Sequence, residues 1–332
     1  MRTVKYGVIG LGWFGEKHCE ALSGIGEVEL YALCTRTKSR LRALAKEFGV
    51  KKVFTDYHEM LADPELEAVS ITTMWDQHAA PTLAALKAGK HVFLEKPMAS
   101  TVADCQKIVA ATKKTDKFFM VGHICRFNPR YAAAKQEIAA GSIGKIVSVF
   151  ARRNIPLTVS AGVLSKIGPI IGDGVHDTDL LLWYTGAKVV SAYAQTVDVR
   201  GLKHPDIGWT MYRLDSGATA VLENVWFLPA KTAFQIDERM EIIGTDGSIH
   251  LHEVHPNLSV CTKDGWRSPD TTYWPELHGK RAGALRDELA YFAQCVAAGT
   301  PPTIISPEES MAAVRACLAA EKSAATGRIV RL

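Results

Sequence analysis

Three glycines near the N-terminus have the spacing of a phosphate-binding loop. Gly10, Gly12 and Gly15 form G-x-G-x-x-G after a β-branched run, Val4–Ile9, and before a segment with helical spacing. The first glycine permits a tight turn, the second lets backbone N–H groups approach a pyrophosphate, and the third allows close helix–strand packing. The helix N-terminus then stabilises the phosphate charge. The pattern predicts a dinucleotide site made by Gly10, Leu11, Gly12, Trp13, Phe14 and Gly15.

The residues after the second predicted strand bear on the choice of cofactor. NAD sites usually place an Asp or Glu there, about 20 residues beyond the glycines, to bind the ribose hydroxyls. This chain has Thr35 and Arg36 instead. A carboxylate repels a 2′-phosphate, whereas a hydroxyl and a guanidinium attract one. The sequence therefore favours NADP(H) over NAD(H), and the alternative is a solvated basic helix start in a chain that binds NAD(H).

The elements that position these residues change character along the chain. Over the first 120 residues, short apolar runs alternate with amphipathic helical segments, which predicts a parallel, doubly wound sheet. Beyond residue 122, several strand-like runs lie beside turn signals such as Asp215-Ser216-Gly217. Helical patterns frame these runs, so we expect a mainly antiparallel sheet with helices on one side.

Composition and charge narrow the class of protein. A chain of 332 residues exceeds the size of most single cores and predicts two domains. Its 47% hydrophobic and 22% charged residues exclude a disordered or fibrous chain. A net charge of +4, without a like-charge block, argues against nucleic-acid or membrane partners. Seven cysteines without a C-x-x-C pair, no signal-peptide pattern and no long apolar run favour a reducing, cytoplasmic setting.

Further segments carry a family resemblance. Glu95-Lys96-Pro97 closes the fourth predicted strand, and together with the glycine loop it resembles the Gfo/Idh/MocA family of sugar and polyol oxidoreductases. The likeness continues through Gly122–Tyr131, Gly141–Ile146, Gly174–Asp179 and the tail, Glu321–Val330. It implies a Rossmann domain over residues 1–121 and an α+β domain with an open-faced, mainly antiparallel sheet over 122–332. The C-terminal helix is expected to pack back on the first domain.

The resemblance also implies an activity and roles for individual residues. It implies hydride transfer at a carbinol carbon, in dimers or tetramers that associate through the C-terminal sheets. Lys96 stands where the family has a lysine near the nicotinamide and the substrate hydroxyl, and Pro97 where it commonly has a cis peptide bond. His176 matches the proton-transfer histidine. A base is needed in any case, because hydride leaves a carbinol only as the O–H proton is removed. The alternatives are a solvated lysine and an ordinary helix histidine.

The acidic residues near His176 depart from the family pattern. The family usually carries an Asp four residues before the histidine, but Gly172 stands there and Asp173 follows. On a helix, Asp173 could still reach His176 or the substrate, although a one-residue shift rotates the carboxylate by about 100°. Asp179 shares a helical face with His176. It is either a ligand of a substrate hydroxyl or an ordinary helix carboxylate.

The segment after the third long strand departs as well. The family often has Thr-Pro-Asn-x-x-His, whereas this chain has Thr73 and His78 with Met74 and Trp75 between them. Trp75 either packs on the nicotinamide or a sugar face, or is a core residue. We include Thr73, Trp75, His78 and the Glu95-Lys96-Pro97 motif in the predicted cofactor site.

Other polar and aromatic residues bear on the substrate. The resemblance places Arg126, Arg153 and Asn154 in segments that approach the cleft, with Arg126 on the cofactor side. These arginines could bind a phosphate, a uronate or a nucleotide diphosphate, or form ion pairs. A further set lies before the last helices and suits a ring bearing hydroxyls. It consists of Tyr273, Trp274 and His278. We expect a sugar, an inositol or a nucleotide sugar as substrate.

Two other hypotheses stay open. The first is a regulator that senses NAD(P) on the same fold, which the joint presence of Lys96 and His176 disfavours. The second is transient oxidation in the service of a glycosidase or epimerase. A metal site at His250, His252 and His255 matches no standard spacing, so no metal is predicted.

Overall fold

Two units make up the described chain. A computed structural model describes residues 2–160, 162, 166–253 and 258–332. One unit runs to Phe127 and resumes over Thr272–Met311, and the other comprises Asn128–Thr271 and Ala312–Leu332. The sequence predicted a single crossing at residue 121/122, whereas the chain returns to the first unit at Thr272.

The first unit contains a six-stranded parallel sheet in the order β3-β2-β1-β4-β5-β6. Its strands are β1 (Val4–Ile9), β2 (Val28–Cys34), β3 (Lys52–Phe54), β4 (Ala68–Ile71), β5 (His91–Glu95) and β6 (Phe119–Gly122). Val8, Val69 and Val92 in its centre are fully buried, as expected where helices cover both faces of a parallel sheet. The predicted doubly wound sheet is confirmed.

Five helices lie between these strands in the sequence. They are α1 (Trp13–Ser23), α2 (Lys38–Glu47), α3 (Tyr57–Leu61), α4 (Ala79–Lys87) and α5 (Val102–Thr112). Short polar side chains begin two of them: Asp56 accepts from the His58 N–H at 2.8 Å, and Thr101 from the Asp104 N–H at 3.0 Å. Such caps satisfy N–H groups that have no partner within the helix.

The second unit begins with helix-rich segments and a larger sheet. Its helices are α6 (Pro129–Ala139), α7 (Leu157–Ser160), α8 (Pro169–Gly172) and α9 (Gly174–Thr185). Its strands are β7 (Ile146–Asn154), β8 (Val189–Val197), β9 (Ile207–Leu214), β10 (Thr219–Val225), β11 (Asp237–Gly244), β12 (Ser248–Glu253), β13 (Val260–Thr262) and β14 (Gly265–Arg267). The elements that follow along the chain are β15 (Glu276–Leu277), β16 (Lys280–Arg281) and α10 (Ala284–Ala298), which belong to the first unit. Helix α11 (Pro307–Thr326) has residues in both units, and β17 (Val330–Arg331) belongs to the second.

The large sheet has the order β12-β11-β7-β10-β9-β8-β17, and all its pairs are antiparallel except β7 with β10. The predicted mixed, mainly antiparallel sheet is confirmed. Its strands alternate between buried and exposed residues. On β9, Thr210 and Tyr212 are buried, while Trp209 and Met211 are 43% and 49% exposed.

Within the described ranges, no helix is both long enough and apolar enough to cross a bilayer.

Candidate functional site

The three motif glycines have distinct local surroundings. Gly10 has a positive φ of +96°, and a Cβ there would lie 2.7 Å from the Thr73 nitrogen. A Cβ on Gly15 would overlap the Gly10 carbonyl oxygen. Around Gly12, by contrast, no described protein atom lies within 4 Å of where a Cβ would stand. Protein packing therefore requires glycine at two positions, and at the third it leaves the N-terminus of α1 open to a pyrophosphate, as the motif demands.

The other loop residues form an aromatic group beside the glycines. Leu11 is buried, and its carbonyl accepts from Arg40 Nε at 3.0 Å. Trp13 stacks on Phe14 with ring centroids 5.7 Å apart, and Trp274 meets both rings edge-on. Trp13 is 60% exposed, so its indole presents apolar surface next to the loop.

The segment after β2 carries no carboxylate. The Thr35 N–H donates to the Phe54 carbonyl at 3.2 Å, which fixes the end of the strand. The Arg36 guanidinium is exposed and donates to Gln77 Oε1 at 3.4 Å, a weak contact that leaves the guanidinium able to reach another acceptor.

His78 connects the loop after β4 to the loop after β5. Its Nδ1 lies 2.8 Å from the Pro97 carbonyl oxygen and its Nε2 lies 3.0 Å from that of Thr73. Burial lowers the pKa of His78, although the two carbonyls favour the protonated ring. Trp75 begins the short 3₁₀ turn Trp75–Gln77 in the same loop and is partly exposed.

Lys96 directly follows β5, and the Lys96–Pro97 peptide bond is cis. The Lys96 N–H donates to Glu95 Oε2 at 3.2 Å. The Glu95 carboxylate is 6% exposed, and His18 Nε2 lies 3.0 Å from its other oxygen. The Glu95 carboxylate thus lies inside the unit.

The remaining predicted residues of the first unit differ in their exposure. Arg126 is buried and donates to the Ile304 carbonyl at 2.7 Å and to Glu309 Oε1 at 3.0 Å. Tyr273 is buried, with its hydroxyl 3.7 Å from Cys125 Sγ. His278 is exposed at the turn between β15 and β16, where its φ is +52°.

His176 lies in the first turn of α9 and is 7% exposed. Its N–H donates to the Asp173 carbonyl at 3.0 Å, and the Asp173 carboxylate accepts from Trp226 Nε1 at 3.0 Å. A Cβ on Gly172 would lie 2.5 Å from the Trp226 ring. The indole therefore occupies the space that an Asp at 172 would need, and its N–H holds the shifted carboxylate. Asp179 is also buried on α9.

Arg153 and Asn154, predicted to contact substrate, have partners inside the second unit. Arg153 donates to Asp177 through Nε at 3.2 Å and through a terminal nitrogen at 3.0 Å, and also to Glu238. Burial raises the pKa of Asp177 to about 6, against the opposing charge of Arg153. Asn154 donates to Glu223 at 2.7 Å and accepts from the Val225 N–H at 2.7 Å.

The histidines considered for metal binding lie on β12. The rings of His250 and His252 stack at 6.2 Å, and His250 Nε2 lies 3.0 Å from Ser248 Oγ. His255 lies outside the described residues. Among the residues that the structure describes, no group of three potential ligands is placed to hold a metal ion.

Sequence reasoning missed His18 and Trp226, which contact predicted site residues. His18 comes three positions after Gly15 on α1, so its helical spacing was a usable signal. Trp226 lies 53 residues from Asp173, and no local pattern connects the two.

A glycine loop between β1 and α1 of a 3-2-1-4-5-6 parallel sheet defines a dinucleotide-binding Rossmann domain. Residues 4–123 match the model of an oxidoreductase family with an NAD-binding Rossmann fold, and residues 131–250 match the GFO/IDH/MocA C-terminal domain. The chain belongs to the GFO/IDH/MocA family and is a nicotinamide-dependent oxidoreductase.

Individual relatives match over almost the full length. The chain is 31% identical to a myo-inositol 2-dehydrogenase from Thermotoga maritima, over 99% of this chain and 98% of the relative. It is 29% identical to a scyllo-inositol 2-dehydrogenase (NAD(+)) from Bacillus subtilis, over 99% and 96%. The structure of a scyllo-inositol dehydrogenase from Lactobacillus casei with NAD(H) and scyllo-inositol superposes with a TM-score of 0.86, covering 99% of each chain. At 24% identity, this last likeness concerns the fold alone.

Proposed function

We propose that this enzyme is an NAD(P)-dependent dehydrogenase that oxidises one CH–OH group of an inositol or a related cyclic polyol. The observation that carries the proposal is the structure around Lys96, which follows β5 in the same unit as the glycine loop and whose backbone N–H donates to the buried carboxylate of Glu95. Full-length similarity to inositol 2-dehydrogenases supports the substrate class.

The chemistry assigns separate tasks to the two basic side chains. When bound, the oxidised nicotinamide supplies the hydride acceptor. Oxidation of the carbinol removes a hydride from carbon and a proton from oxygen, and leaves a ketone. In our proposal, His176 accepts that proton at a ring nitrogen, and Lys96 orients the hydroxyl or relays the proton. We place Asp179, Tyr273 and Trp274 in the substrate site as well.

Three residues predicted to contact the substrate or cofactor, Arg126, Arg153 and Asn154, have partners within the protein. The guanidinium of Arg153 donates to two buried carboxyl groups, and both polar atoms of Asn154 have partners within the fold. Arg126 likewise pairs with Glu309. We therefore favour a neutral polyol over a phosphorylated or nucleotide-linked sugar.

For the cofactor, we propose that NADP(H) binds more tightly than NAD(H). The support is local: Thr35 and Arg36 occupy the position where an acidic residue would bind the ribose hydroxyls of NAD. The exposed guanidinium is suited to a 2′-phosphate.

For the assembly, we propose a homodimer or homotetramer that associates through the large sheet. Across four strands, the outer face carries an apolar band in register, formed by Phe150, Val221, Met211 and Tyr193. Apolar surface of this extent on an open sheet face is typical of an interface.

The test of the function is a substrate panel. Inositols, aldoses, uronates and nucleotide sugars are incubated with each cofactor, and reduced nicotinamide is followed by absorbance. We expect turnover with inositols above all. Turnover confined to nucleotide sugars or uronates would contradict the substrate class.

A further inference from the structure

A buried hydrogen-bond network lies directly beneath Lys96. Glu95 uses both oxygens: Oε2 accepts from the Lys96 N–H at 3.2 Å, and Oε1 lies 3.0 Å from His18 Nε2. His18 is fully buried, and its Nδ1 lies 3.1 Å from Ser70 Oγ, which in turn donates to the Tyr6 hydroxyl at 3.2 Å. The network therefore joins α1, β1, β4 and β5.

The surroundings leave the Glu95 carboxylate little freedom to move. A Cβ on Gly122 of β6 would lie 2.8 Å from Glu95 Oε1, so the glycine leaves room for the carboxylate in this position. Phe14 and Phe93 pack edge-on against the imidazole of His18 at 5.2 and 5.6 Å. Packing on both partners holds the pair in a single arrangement.

A second buried carboxyl, that of Glu288, lies in the same unit as this network. It lies on α10, which packs on α1, β1 and β5, and it is fully buried. Among the described residues, neither of its oxygens has a hydrogen-bond partner. Burial, with the nearby charge of Glu95, raises the pKa of Glu288 well above its usual value.

We propose that His18 and Glu95 are positioning residues that fix the backbone of Lys96 relative to the helix that begins at the glycine loop. The inference rests on the proposed role of Lys96 in the reaction. Its physical basis is that α1 presents its N-terminus to the cofactor phosphates while His18, one turn further along, holds the strand end that carries the lysine. The buried His18–Glu95 pair thus connects the strand end that carries Lys96 to the helix that begins at the glycine loop.

The experiment compares Glu95→Gln, His18→Phe and the double variant with the wild type. Gln keeps the size of Glu95 but can accept from only one of the two donors, and Phe keeps the packing of His18 without its nitrogens. We expect each single variant to lower kcat between about ten- and a hundredfold, and the double variant to be no worse than either. Although Glu95 belongs to the motif predicted at the cofactor site, both its carboxylate oxygens are bonded inside the unit. The Kd of NAD(P)H, from fluorescence titration, should therefore stay within about twofold of the wild type.

The matched control is Glu321→Gln, which removes a half-buried carboxyl from the second unit and should keep wild-type kcat. If His18→Phe does not fold, His18→Asn takes its place. Wild-type kcat in Glu95→Gln overturns the proposal, as does a loss of kcat matched by an equal loss of cofactor affinity. Lys96→Met distinguishes the role of Lys96 in the reaction from the positioning role of His18 and Glu95. An inactive Lys96→Met together with a fully active Glu95→Gln rejects the positioning role alone. An active Lys96→Met rejects the role assigned to Lys96 and the positioning pair with it, whereas a wild type without turnover on any inositol rejects the proposed function.

Discussion

Single residues decide how this chain departs from its family. Trp226 fills the space beside Gly172, and its indole N–H binds the carboxylate of Asp173. The indole therefore holds the carboxylate of Asp173 near the start of α9, one residue after Gly172. Because that carboxylate already accepts a hydrogen bond from an indole, we expect it to contribute less to the reaction than His176 does.

Removing the proton-transfer groups should slow chemistry rather than binding. We predict that His176→Ala and Lys96→Met lower turnover by about 10²–10⁴-fold, the usual effect of losing a positioned acid or base. Asp173→Ala should lower it less. Stopped-flow measurement of hydride transfer, with cofactor binding followed by fluorescence, checks this. Hydride transfer at the wild-type rate in His176→Ala would leave Lys96 or Asp179 as the base.

The basic segment after β2 makes a prediction about cofactor choice. Arg36→Ala should lower the affinity for NADP(H) by about one to two decades and leave the affinity for NAD(H) nearly unchanged, because only NADP(H) has a 2′-phosphate. Titration of the wild type and of Arg36→Ala with NADP(H) and with NAD(H) measures this change in affinity. Lys38→Ala, two residues further on, is the control for a loss of general positive charge. Equal weakening of both cofactors would refute a contact between Arg36 and the phosphate.

At the scale of elements, local sequence patterns could be predicted, whereas contacts between residues far apart in the sequence could not. The sequence predicted β1 and the glycine loop because a β-branched run and three spaced glycines act locally. It could not predict that α10 belongs to the first unit. Leu285, Leu289 and Phe292 show that this helix has a buried face, but not which elements cover it. The His18–Glu95 contact spans 77 residues and escaped prediction for the same reason.

Helix α11 carries a half-buried carboxyl, that of Glu321, which makes stability depend on pH. Burial raises the pKa of Glu321 from 4.5 to about 7 in the folded protein. The folded state thus retains a proton that the unfolded state loses, and the stability that this proton contributes is lost as pH rises from 4.5 to 7. In Glu321→Gln this loss of stability between pH 4.5 and 7 is absent, because glutamine does not titrate. Its free energy of unfolding, relative to the wild type, should rise over that range and then level off.

Urea unfolding at several pH values between 4.5 and 8.5 measures this difference. The exposed Glu308 on the same helix provides the control, because Glu308→Gln removes a carboxyl whose pKa is lowered by Lys113. A pH-independent difference for Glu321→Gln would show that Glu321 is ionised in the folded protein.

At the scale of the whole molecule, the apolar outer face of the large sheet predicts association. Met211→Asp places a charge in the centre of the band, opposite Val221 and Tyr193. We expect it to reduce the mass in solution to that of a 36.2 kDa monomer. Val53→Asp, on an exposed apolar residue of the first unit, is the control and should leave the mass unchanged. Size-exclusion chromatography with light scattering decides between them, and an unchanged mass for Met211→Asp would place the interface elsewhere.

The central claim is that this fold oxidises a carbinol of a cyclic polyol by direct hydride transfer. The most direct measurement uses myo- and scyllo-inositol deuterated at the ring carbons, with NADP⁺ and NAD⁺, and mass spectrometry of both products. We predict that one deuterium appears on the reduced nicotinamide and that the polyol becomes a ketone lacking it. Tight cofactor binding without any labelled nicotinamide would contradict the claim and favour a sensor of NAD(P) on the same fold.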